Sequence, residues 1–173
     1  MTNIVLIGMP GCGKSTVGVL LAKALGKAFI DTDVVLQAKE GKKLQAMIEE
    51  IGIEAFLGKE QDAILSLNCA QTVIATGGSV VYGAEAMKHL HRHGIVVYIK
   101  LPYGTIRRRL SNLATRGVTL KEGQTLFDLY NERIPLYEAT ADLVCEAEGC
   151  EIEETVNRIV DLVNGFCEAK DGI

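Results

Sequence analysis

The sequence IVLIGMPGCGKST, which occupies residues 4–16, combines three features in close succession. Its first four residues are apolar, and a short apolar run bounded by glycine is typical of a buried strand. Residues 8–15 match the pattern G-x-x-x-x-G-K-[ST]. Apolar residues at helical spacing follow, namely Val17, Val19, Leu20, Leu21 and Leu25. The order of strand, loop and helix is the context in which this pattern forms a phosphate-binding loop, or P-loop.

Each part of this loop has a chemical reason to be there. Glycines let the backbone wrap closely around a phosphate chain with its N–H groups pointing inward. The helix that follows directs its positive end at the same place. Lys14 supplies positive charge for the β- and γ-phosphates, and the Ser15 hydroxyl is placed to bind Mg²⁺. The stretch therefore predicts a nucleotide site that uses Mg²⁺.

The composition limits what the rest of the molecule can be. A chain of 173 residues, of which 48% are hydrophobic, is expected to form a single globular domain. The net charge is −4 and the sequence pI is about 5.4, which argues against nucleic acid or an anionic membrane as a partner. The first residues, MTNIVLIG, have neither the basic segment nor the cleavage site of a signal peptide, so we expect a cytoplasmic protein. Five cysteines without C-x-x-C spacing indicate free thiols rather than a metal site.

Strands and helices are expected to alternate along the chain. After the first strand, further strands are predicted at residues 28–30, 72–75, 94–100 and 141–145. This alternation predicts an α/β fold, with a five-stranded parallel sheet between two layers of helices. The segment GIVVYIK at 94–100 is the most apolar after the first strand and is expected to be central in the sheet. Helices are predicted at 34–39, from Leu44 to Ile48, and at 53–67.

Polar residues and glycines follow two of the predicted strands, where an open α/β sheet forms its ligand crevice. Asp31 and Asp33 follow the strand at 28–30, and Gly77 and Gly78 follow the strand at 72–75. The carboxylates either cap the next helix or face the P-loop, where one holds Mg²⁺ through water and the other accepts a proton from an attacking hydroxyl. The glycines either allow close approach to a ligand or form a tight turn.

Two segments are candidates for parts that close over substrates. The helices within residues 33–60 are longer than a simple crossover needs and are interpreted as a substrate-binding subdomain. Residues 111–124, SNLATRGVTLKEGQ, are polar and without periodicity. They fit either a surface loop or a lid that delivers Arg116 to bound phosphates.

In combination, these motifs resemble those of the shikimate kinases, a branch of the P-loop nucleoside-monophosphate-kinase-like fold. The resemblance covers nearly the whole chain, and its landmarks are GMPGCGKST at 8–16, FIDTD at 29–33, VIATGG at 73–78, GIVVY at 94–98 and RIPLY at 133–137. It implies an ATP- and Mg²⁺-dependent kinase that phosphorylates the 3-hydroxyl of shikimate, in aromatic amino acid biosynthesis. We expect a cytoplasmic monomer whose partner is a small-molecule substrate.

The resemblance also implies roles for individual residues. The residues implied to bind ATP are Gly11, Cys12, Gly13, Lys14, Ser15, Thr16, Arg109 and Arg116. Of these, Arg109 packs on adenine and Arg116 belongs to the lid. Those implied for the acceptor are Asp33, Gly77, Gly78 and Arg133, with Arg133 pairing with the substrate carboxylate. Ser15 and Asp31 are implied for Mg²⁺. Lys14, Asp33 and Arg116 are the implied catalytic residues.

Three positions depart from the pattern of the family. Leu57 stands in place of the arginine of F-R-x-x-E that clamps the shikimate carboxylate, so a charge-assisted pair is lost. Lys59, about 200° around the helix, is a poor substitute for it. Ser79 replaces a third glycine, and its hydroxyl is free to form a new hydrogen bond. Gly117 replaces the proline of the lid and is expected to leave the lid more mobile.

These departures leave three hypotheses for the function. The first is a shikimate kinase. The second is a kinase of the same type that acts on another small hydroxylated molecule. The third is a nucleotide-binding or regulatory protein without turnover, which the presence of Lys14, Asp33 and Arg116 argues against.

Overall fold

The computed structural model describes residues 2–111 and 118–171 of the chain. Within these ranges it has five strands, which are β1 (Asn3–Ile7), β2 (Ala28–Asp31), β3 (Thr72–Ala75), β4 (Gly94–Lys100) and β5 (Leu143–Glu146). The same ranges contain seven α-helices, which are α1 (Lys14–Leu25), α2 (Thr32–Glu40), α3 (Leu44–Leu65), α4 (Ala84–His93), α5 (Tyr103–Ser111), α6 (Leu126–Thr140) and α7 (Ile152–Asp171). A short 3₁₀ helix, Val80–Tyr82, precedes α4.

The five strands form one parallel sheet in the order β2-β3-β1-β4-β5. Val5, Leu6 and Ile7 are fully buried although successive side chains of a strand point to opposite faces. Both faces of the sheet are therefore covered, which confirms the predicted three-layer α/β/α fold. The strand β4 is interior, as its apolar sequence predicts, while β1 occupies the middle of the sheet.

The helices α2 and α3 pack on one another around a small apolar cluster of their own. The cluster consists of Leu36, Met47, Phe56 and Ala63. The two helices predicted at 44–48 and 53–67 both lie within α3 and are separated by a kink at Gly52, where φ is 80° and ψ is 166° and the backbone is not helical, as the sequence predicts. The apolar positions on both sides of the kink face the same cluster, and glycine supplies the positive φ. This packing gives the predicted substrate-binding subdomain a core separate from that of the sheet.

The end of the chain differs from prediction only in its element boundaries. The last strand begins at Leu143 and ends at Glu146, two residues and one residue later than predicted. The last helix, α7, ends at Asp171, and its apolar residues Val156, Ile159 and Val163 join the main core. Among the described helices, none combines the length and apolarity needed to cross a bilayer.

Candidate active site

The predicted site residues converge at the carboxyl ends of three neighbouring strands. The P-loop follows β1, Asp31 ends β2, and the glycine segment, which we define as residues 76–79, follows β3. Thr76 fixes this segment against the central strand, because its backbone N–H and its Oγ1 both donate to the carbonyl oxygen of Leu6, at 3.2 and 2.9 Å. The Gly77 N–H donates to Thr32 Oγ1 at 3.2 Å, which fixes the segment against α2. The crevice therefore has a fixed base.

The P-loop has the backbone shape that its glycines predict. Gly8, Gly11 and Gly13 have φ values of 145°, 79° and 104°, a region that side chains other than glycine rarely adopt. Lys14 is the first residue of α1, and Ser15 and Thr16 are exposed in the first helical turn. The loop therefore presents its backbone and two hydroxyls to solvent at the positive end of a helix.

The Lys14 side chain is folded back onto the loop and is only 8% exposed. Its Nζ donates to the carbonyl oxygens of Gly8 and Met9 at 2.8 and 3.1 Å. The Cys12 thiol, also buried, lies 3.8 Å from the same nitrogen. The ammonium group is thus held by the loop itself, close to where the sequence places the β- and γ-phosphates.

A second cation, Arg109, reaches the loop from α5. Its Nη1 donates to the carbonyl oxygens of Gly11 and Cys12 at 3.3 and 3.1 Å. Leu110 of the same helix lies against Gly11. The helix α5 therefore forms one wall of the nucleotide side of the crevice, where the resemblance places the adenine.

The carboxylate of Asp31 caps α2. Its Oδ1 accepts hydrogen bonds from the backbone N–H groups of Asp33 and Val34, at 3.0 and 3.4 Å. The capping interpretation is therefore correct for Asp31, and it engages one of the two carboxylate oxygens. Asp31 and Ser15 supply the hard oxygen ligands that Mg²⁺ prefers. The described residues contain no group of three or more His, Cys, Asp or Glu side chains that could hold a metal ion. These residues therefore fit a Mg²⁺ ion that takes its remaining ligands from phosphate and water, as is common for Mg²⁺ bound with nucleotides.

The glycines at positions 77 and 78 are required by crowding and not by a left-handed turn, since neither has a positive φ. A Cβ on Gly77 would clash with Glu60 Oε1 and lie 3.0 Å from Asp33 Oδ1. A Cβ on Gly78 would lie 2.7 Å from Cδ of Pro10 in the P-loop and 3.0 Å from Nη1 of Arg133. The segment is thus the meeting point of the P-loop, both carboxylates and the buried arginine.

Among the residues that the structure describes, Arg133 is the largest fully buried side chain, with 1% of its surface exposed. Its Nη2 donates to Thr119 Oγ1 at 2.7 Å, and its Nε donates to the Tyr82 hydroxyl at 3.3 Å. The Tyr82 hydroxyl in turn donates to Glu132 at 2.6 Å. No carboxylate lies within 4.0 Å of the guanidinium in the parts of the chain that the structure describes. A cation in this environment favours an anionic ligand, because burial makes an unpaired charge costly.

Glu60 is a buried acidic residue that the sequence did not mark as part of the site. Its side chain comes from α3, is 4% exposed, and accepts a 2.5 Å hydrogen bond from the Ser79 hydroxyl. Burial, with a smaller contribution from the charge of Asp33, raises the pKa of Glu60 to about 7, against the opposing effects of Ser79, Arg133 and Lys14. Two carboxyl groups, those of Glu60 and Asp33, therefore lie beside Gly77.

The chain matches a known family across this whole arrangement. A family model described as shikimate kinase matches residues 10–164. The shikimate kinase of Nostoc punctiforme (strain ATCC 29133 / PCC 73102) is 40% identical over 167 residues, which cover 93% of this chain and 90% of that protein. This chain belongs to the shikimate kinase family. It is accordingly a phosphotransferase of the class that acts on an alcohol group.

Solved structures of shikimate kinases are similar over nearly the full length. The shikimate kinase of Acinetobacter baumannii in complex with shikimate has a TM-score of 0.88 and 31% identity, covering 95% of this chain and 94% of that one. The shikimate kinase of Aquifex aeolicus has a TM-score of 0.82 and 30% identity, covering 95% and 98%. A gluconokinase of Sinorhizobium meliloti, 17% identical with a TM-score of 0.68, shares the fold.

Two departures from the shikimate kinase pattern are visible on the acceptor side of the crevice. Leu57 is half-buried and lines a small cleft together with Glu60 and Ser79. Lys59 forms an ion pair with Glu40 at 2.8 Å, so it is engaged elsewhere. Ser79 has φ and ψ of −91° and −4°, which any residue adopts, and its hydroxyl makes the new hydrogen bond to Glu60.

Glu60 was missed because its hydrogen-bond partner is not evident from the local sequence. Its bonded partner Ser79 is nineteen positions away and belongs to another element. The signal available in the sequence was its place three residues after Leu57, as the last residue of the F-R-x-x-E pattern. Arg116 and Gly117 lie outside the described residues, so the lid remains a prediction.

Proposed function

We propose that this protein transfers the γ-phosphoryl group of ATP to the 3-hydroxyl of shikimate, giving shikimate 3-phosphate and ADP. The observation that carries the proposal is the buried Arg133 guanidinium beside Gly78, which has no carboxylate partner among the described residues. An acceptor that carries a carboxylate would supply that partner. A solved relative with shikimate bound is similar over almost the whole chain, which supports the same acceptor here.

In this mechanism the P-loop binds the phosphates of ATP through its inward N–H groups and the start of α1. Lys14 exchanges the carbonyl oxygens of Gly8 and Met9 for phosphate oxygens, which places its charge where negative charge develops. Ser15 and Asp31 would hold Mg²⁺, which neutralises phosphate charge when it is bound. Arg116 is proposed to add a further cation from the lid.

On the acceptor side, Asp33 orients the 3-hydroxyl and accepts its proton as the oxygen attacks phosphorus. The backbone of Gly77 and Gly78 approaches the acceptor closely. Arg133 pairs with the carboxylate and fixes the ring relative to the P-loop. Positioning and charge stabilisation together account for most of the acceleration in reactions of this kind.

The experiment is a coupled assay of ADP release with shikimate, ATP and Mg²⁺. We expect shikimate-dependent turnover and, by mass spectrometry, a product that is heavier by one phosphoryl group. ATP hydrolysis without a phosphorylated product, or no ADP release at any shikimate concentration, would refute the proposal.

A second candidate is a kinase of another small hydroxylated molecule, and Leu57 is the observation that favours it. An apolar side chain stands where the family has a cation, which suits a less acidic acceptor. A panel of polyols and hydroxy acids separates the two candidates by kcat/KM. If shikimate is the acceptor, Leu57→Arg is expected to lower its KM by about tenfold, the equivalent of one charge-assisted hydrogen bond. An unchanged KM for shikimate together with a better substrate in the panel would favour the second candidate.

We also propose that the protein works as a cytoplasmic monomer in aromatic amino acid biosynthesis, without nucleic acid or membrane partners. The support is that one chain brings the described site residues to a single crevice, together with the acidic composition. Light scattering coupled to size exclusion tests the monomer directly.

A further inference from the structure

The acceptor side of the crevice holds a carboxyl group that the proposed mechanism does not use. Glu60 is buried, and no lysine, arginine or histidine nitrogen lies within 4.0 Å of it in the described residues. Its Oε1 lies against Gly77, beside Asp33 Oδ1, and its Oε2 accepts from Ser79. Leu57, three residues earlier on α3, is in the same cleft and carries no charge.

This geometry creates a problem for an anionic acceptor. A carboxylate held by Arg133 near Gly78 would enter a crevice that already contains Asp33 and Glu60 beside Gly77. Like charges repel one another, and burial in the crevice reduces the screening of that repulsion by water. In the family pattern position 57 is an arginine, a cation three residues before the glutamate, whereas Leu57 of this chain carries no charge. Here the hydroxyl of Ser79 is the contact that holds Glu60, and a neutral hydroxyl cannot balance a charge.

We propose that Glu60, held by Ser79, is a specificity-determining residue that takes up one proton from solvent when a carboxylate-bearing acceptor binds. The neutral carboxyl then removes the repulsion that the missing arginine would otherwise have removed. This inference rests on the proposed function for the identity of the acceptor.

The groups that face Glu60 agree with this role. Asp33 of α2 raises the pKa of Glu60, and so does burial, which is the largest cause. Ser79 of the glycine segment, Arg133 of α6 and Lys14 of α1 lower it. The result, about 7, lies where a modest change in charge alters the protonation of the group. An incoming anion adds a further negative charge and raises the pKa again, so binding and proton uptake are coupled.

The direction of the pH dependence follows from these signs. Below pH 7 Glu60 is neutral and the acceptor binds without proton uptake. Above pH 7 Glu60 is ionised, and binding must first protonate it. We therefore expect KM for shikimate to rise by roughly tenfold between pH 6.5 and 8.5, while KM for ATP changes much less.

Three variants test whether Glu60 causes the pH dependence of KM for shikimate. Glu60→Gln keeps the shape and an oxygen that accepts from Ser79, and we expect its KM for shikimate to lose the rise. Ser79→Ala removes a hydrogen bond that stabilises the charged form, so the rise moves to higher pH. Leu57→Arg supplies the missing cation, so the rise begins at lower pH and becomes smaller, because the cation offsets the charge of the ionised Glu60. A purely structural role for Glu60 predicts none of these opposite shifts.

Calorimetry of shikimate binding at pH 7.5, in two buffers of different ionisation enthalpy, provides a readout independent of turnover. We expect uptake of between about one half and one proton per shikimate in the parent protein, and none in Glu60→Gln. No proton uptake and a flat KM profile, or the same rise in Glu60→Gln, would overturn the inference.

If shikimate neither binds nor reacts, the proposed function fails and Glu60 can still be tested on its own. Carbon-detected NMR of the carboxyl groups would then follow Glu60 in the free protein. Titration near pH 7 that moves upward in Ser79→Ala supports the pair, and titration below pH 5 overturns the inference for any acceptor.

Discussion

Asp33 is the residue on which the chemical step depends most directly. It is the second residue of α2, and its Oδ1 lies near Gly77. We expect Asp33→Asn to lower kcat by about 10²- to 10⁴-fold, because the amide keeps the shape but cannot accept the hydroxyl proton. Steady-state kinetics with shikimate measures this, and ADP binding by thermal shift is the control that we expect to stay unchanged. A loss of less than about fivefold would remove Asp33 from the role of base.

A substitution at Arg133 tests how the acceptor is bound. The Arg133→Lys variant keeps the charge but loses the fork that contacts Thr119 and Tyr82 together. We expect KM for shikimate to rise by about ten- to a few-hundred-fold, with KM for ATP nearly constant. An equal rise in both constants would mean that the substitution disturbs the whole crevice.

Two stacked tyrosines allow a buried hydroxyl with a hydrogen bond to be compared with a buried hydroxyl that has none. The rings of Tyr98 and Tyr137 have centroids 5.1 Å apart. The Tyr137 hydroxyl donates to the Gly78 carbonyl oxygen at 2.5 Å, whereas that of Tyr98 has no hydrogen-bond partner in the described part of the chain. We expect Tyr137→Phe to lower the free energy of unfolding by about 1–3 kcal/mol and Tyr98→Phe to leave it unchanged or raise it. Urea denaturation of both variants is the measurement, and equal losses would contradict the assignment.

The site residues that could be predicted from the sequence are those that belong to a contiguous motif. The P-loop, the D-T-D segment and Arg133 are of this kind, and the structure brings the described ones to one crevice. The place of Glu60 in a motif was visible in the sequence, but its burial and its contact with Ser79 were not, because both depend on how α3 packs over the glycine segment. The hydrogen bonds of Lys14 to its own loop likewise follow from backbone shape and not from residue type.

At the scale of elements, the contact between α1 and β2 depends on Gly18. A Cβ at this position would lie 2.6 Å from the Phe29 ring. We expect Gly18→Ala to lower the free energy of unfolding by about 1–3 kcal/mol, although alanine is the better helix former. Gly165 of α7 is the control, since a Cβ there would meet nothing within 4 Å. Gly165→Ala is expected to be neutral or to stabilise by up to about 1 kcal/mol. A loss at both positions would mean that the packing of α1 is not the cause.

Element types were predictable because the apolar periodicity is strong, but their junctions were less so. Gly52 illustrates the reason. A glycine inside a helical pattern indicates a break, and the helical backbone is interrupted at Gly52. The apolar positions before and after it nevertheless face one shared cluster, which the sequence does not show. The start of α2 at Thr32 is set in the same way by a side chain, since Asp31 caps it.

The whole molecule responds to nucleotide through the P-loop. We expect ADP with Mg²⁺ at about 100 times its Kd to stabilise the protein by about 2.7 kcal/mol, which raises Tm by roughly 5–10 °C. Lys14→Met should lose most of this rise, because the ammonium group then makes no phosphate contact. Lys88→Met, at an exposed position of α4, is the control and should keep it. If Lys14→Met responds like the parent protein, the loop is not the main nucleotide contact.

The fold class followed from the alternation of strands and helices, while the order of the strands did not. Pairing of β1 with β3 and β4 is a contact between segments far apart in sequence, and apolar content shows only that a strand is interior. Both β1 and β4 meet that criterion, and the crossovers place β1 in the middle.

The bond pair between Thr76 and Leu6 has a consequence for how new substrate preferences arise in this protein. These two hydrogen bonds join β1, which carries the P-loop, to the glycine segment after β3, which faces the acceptor. The two strands are neighbours, about 4.8 Å apart. A bulkier acceptor therefore cannot be admitted by widening the crevice at its base. We expect selection for new acceptors to accumulate changes in α2, α3 and residues 77–83. The sequence of β1, the P-loop and α1 should stay constant throughout such a lineage.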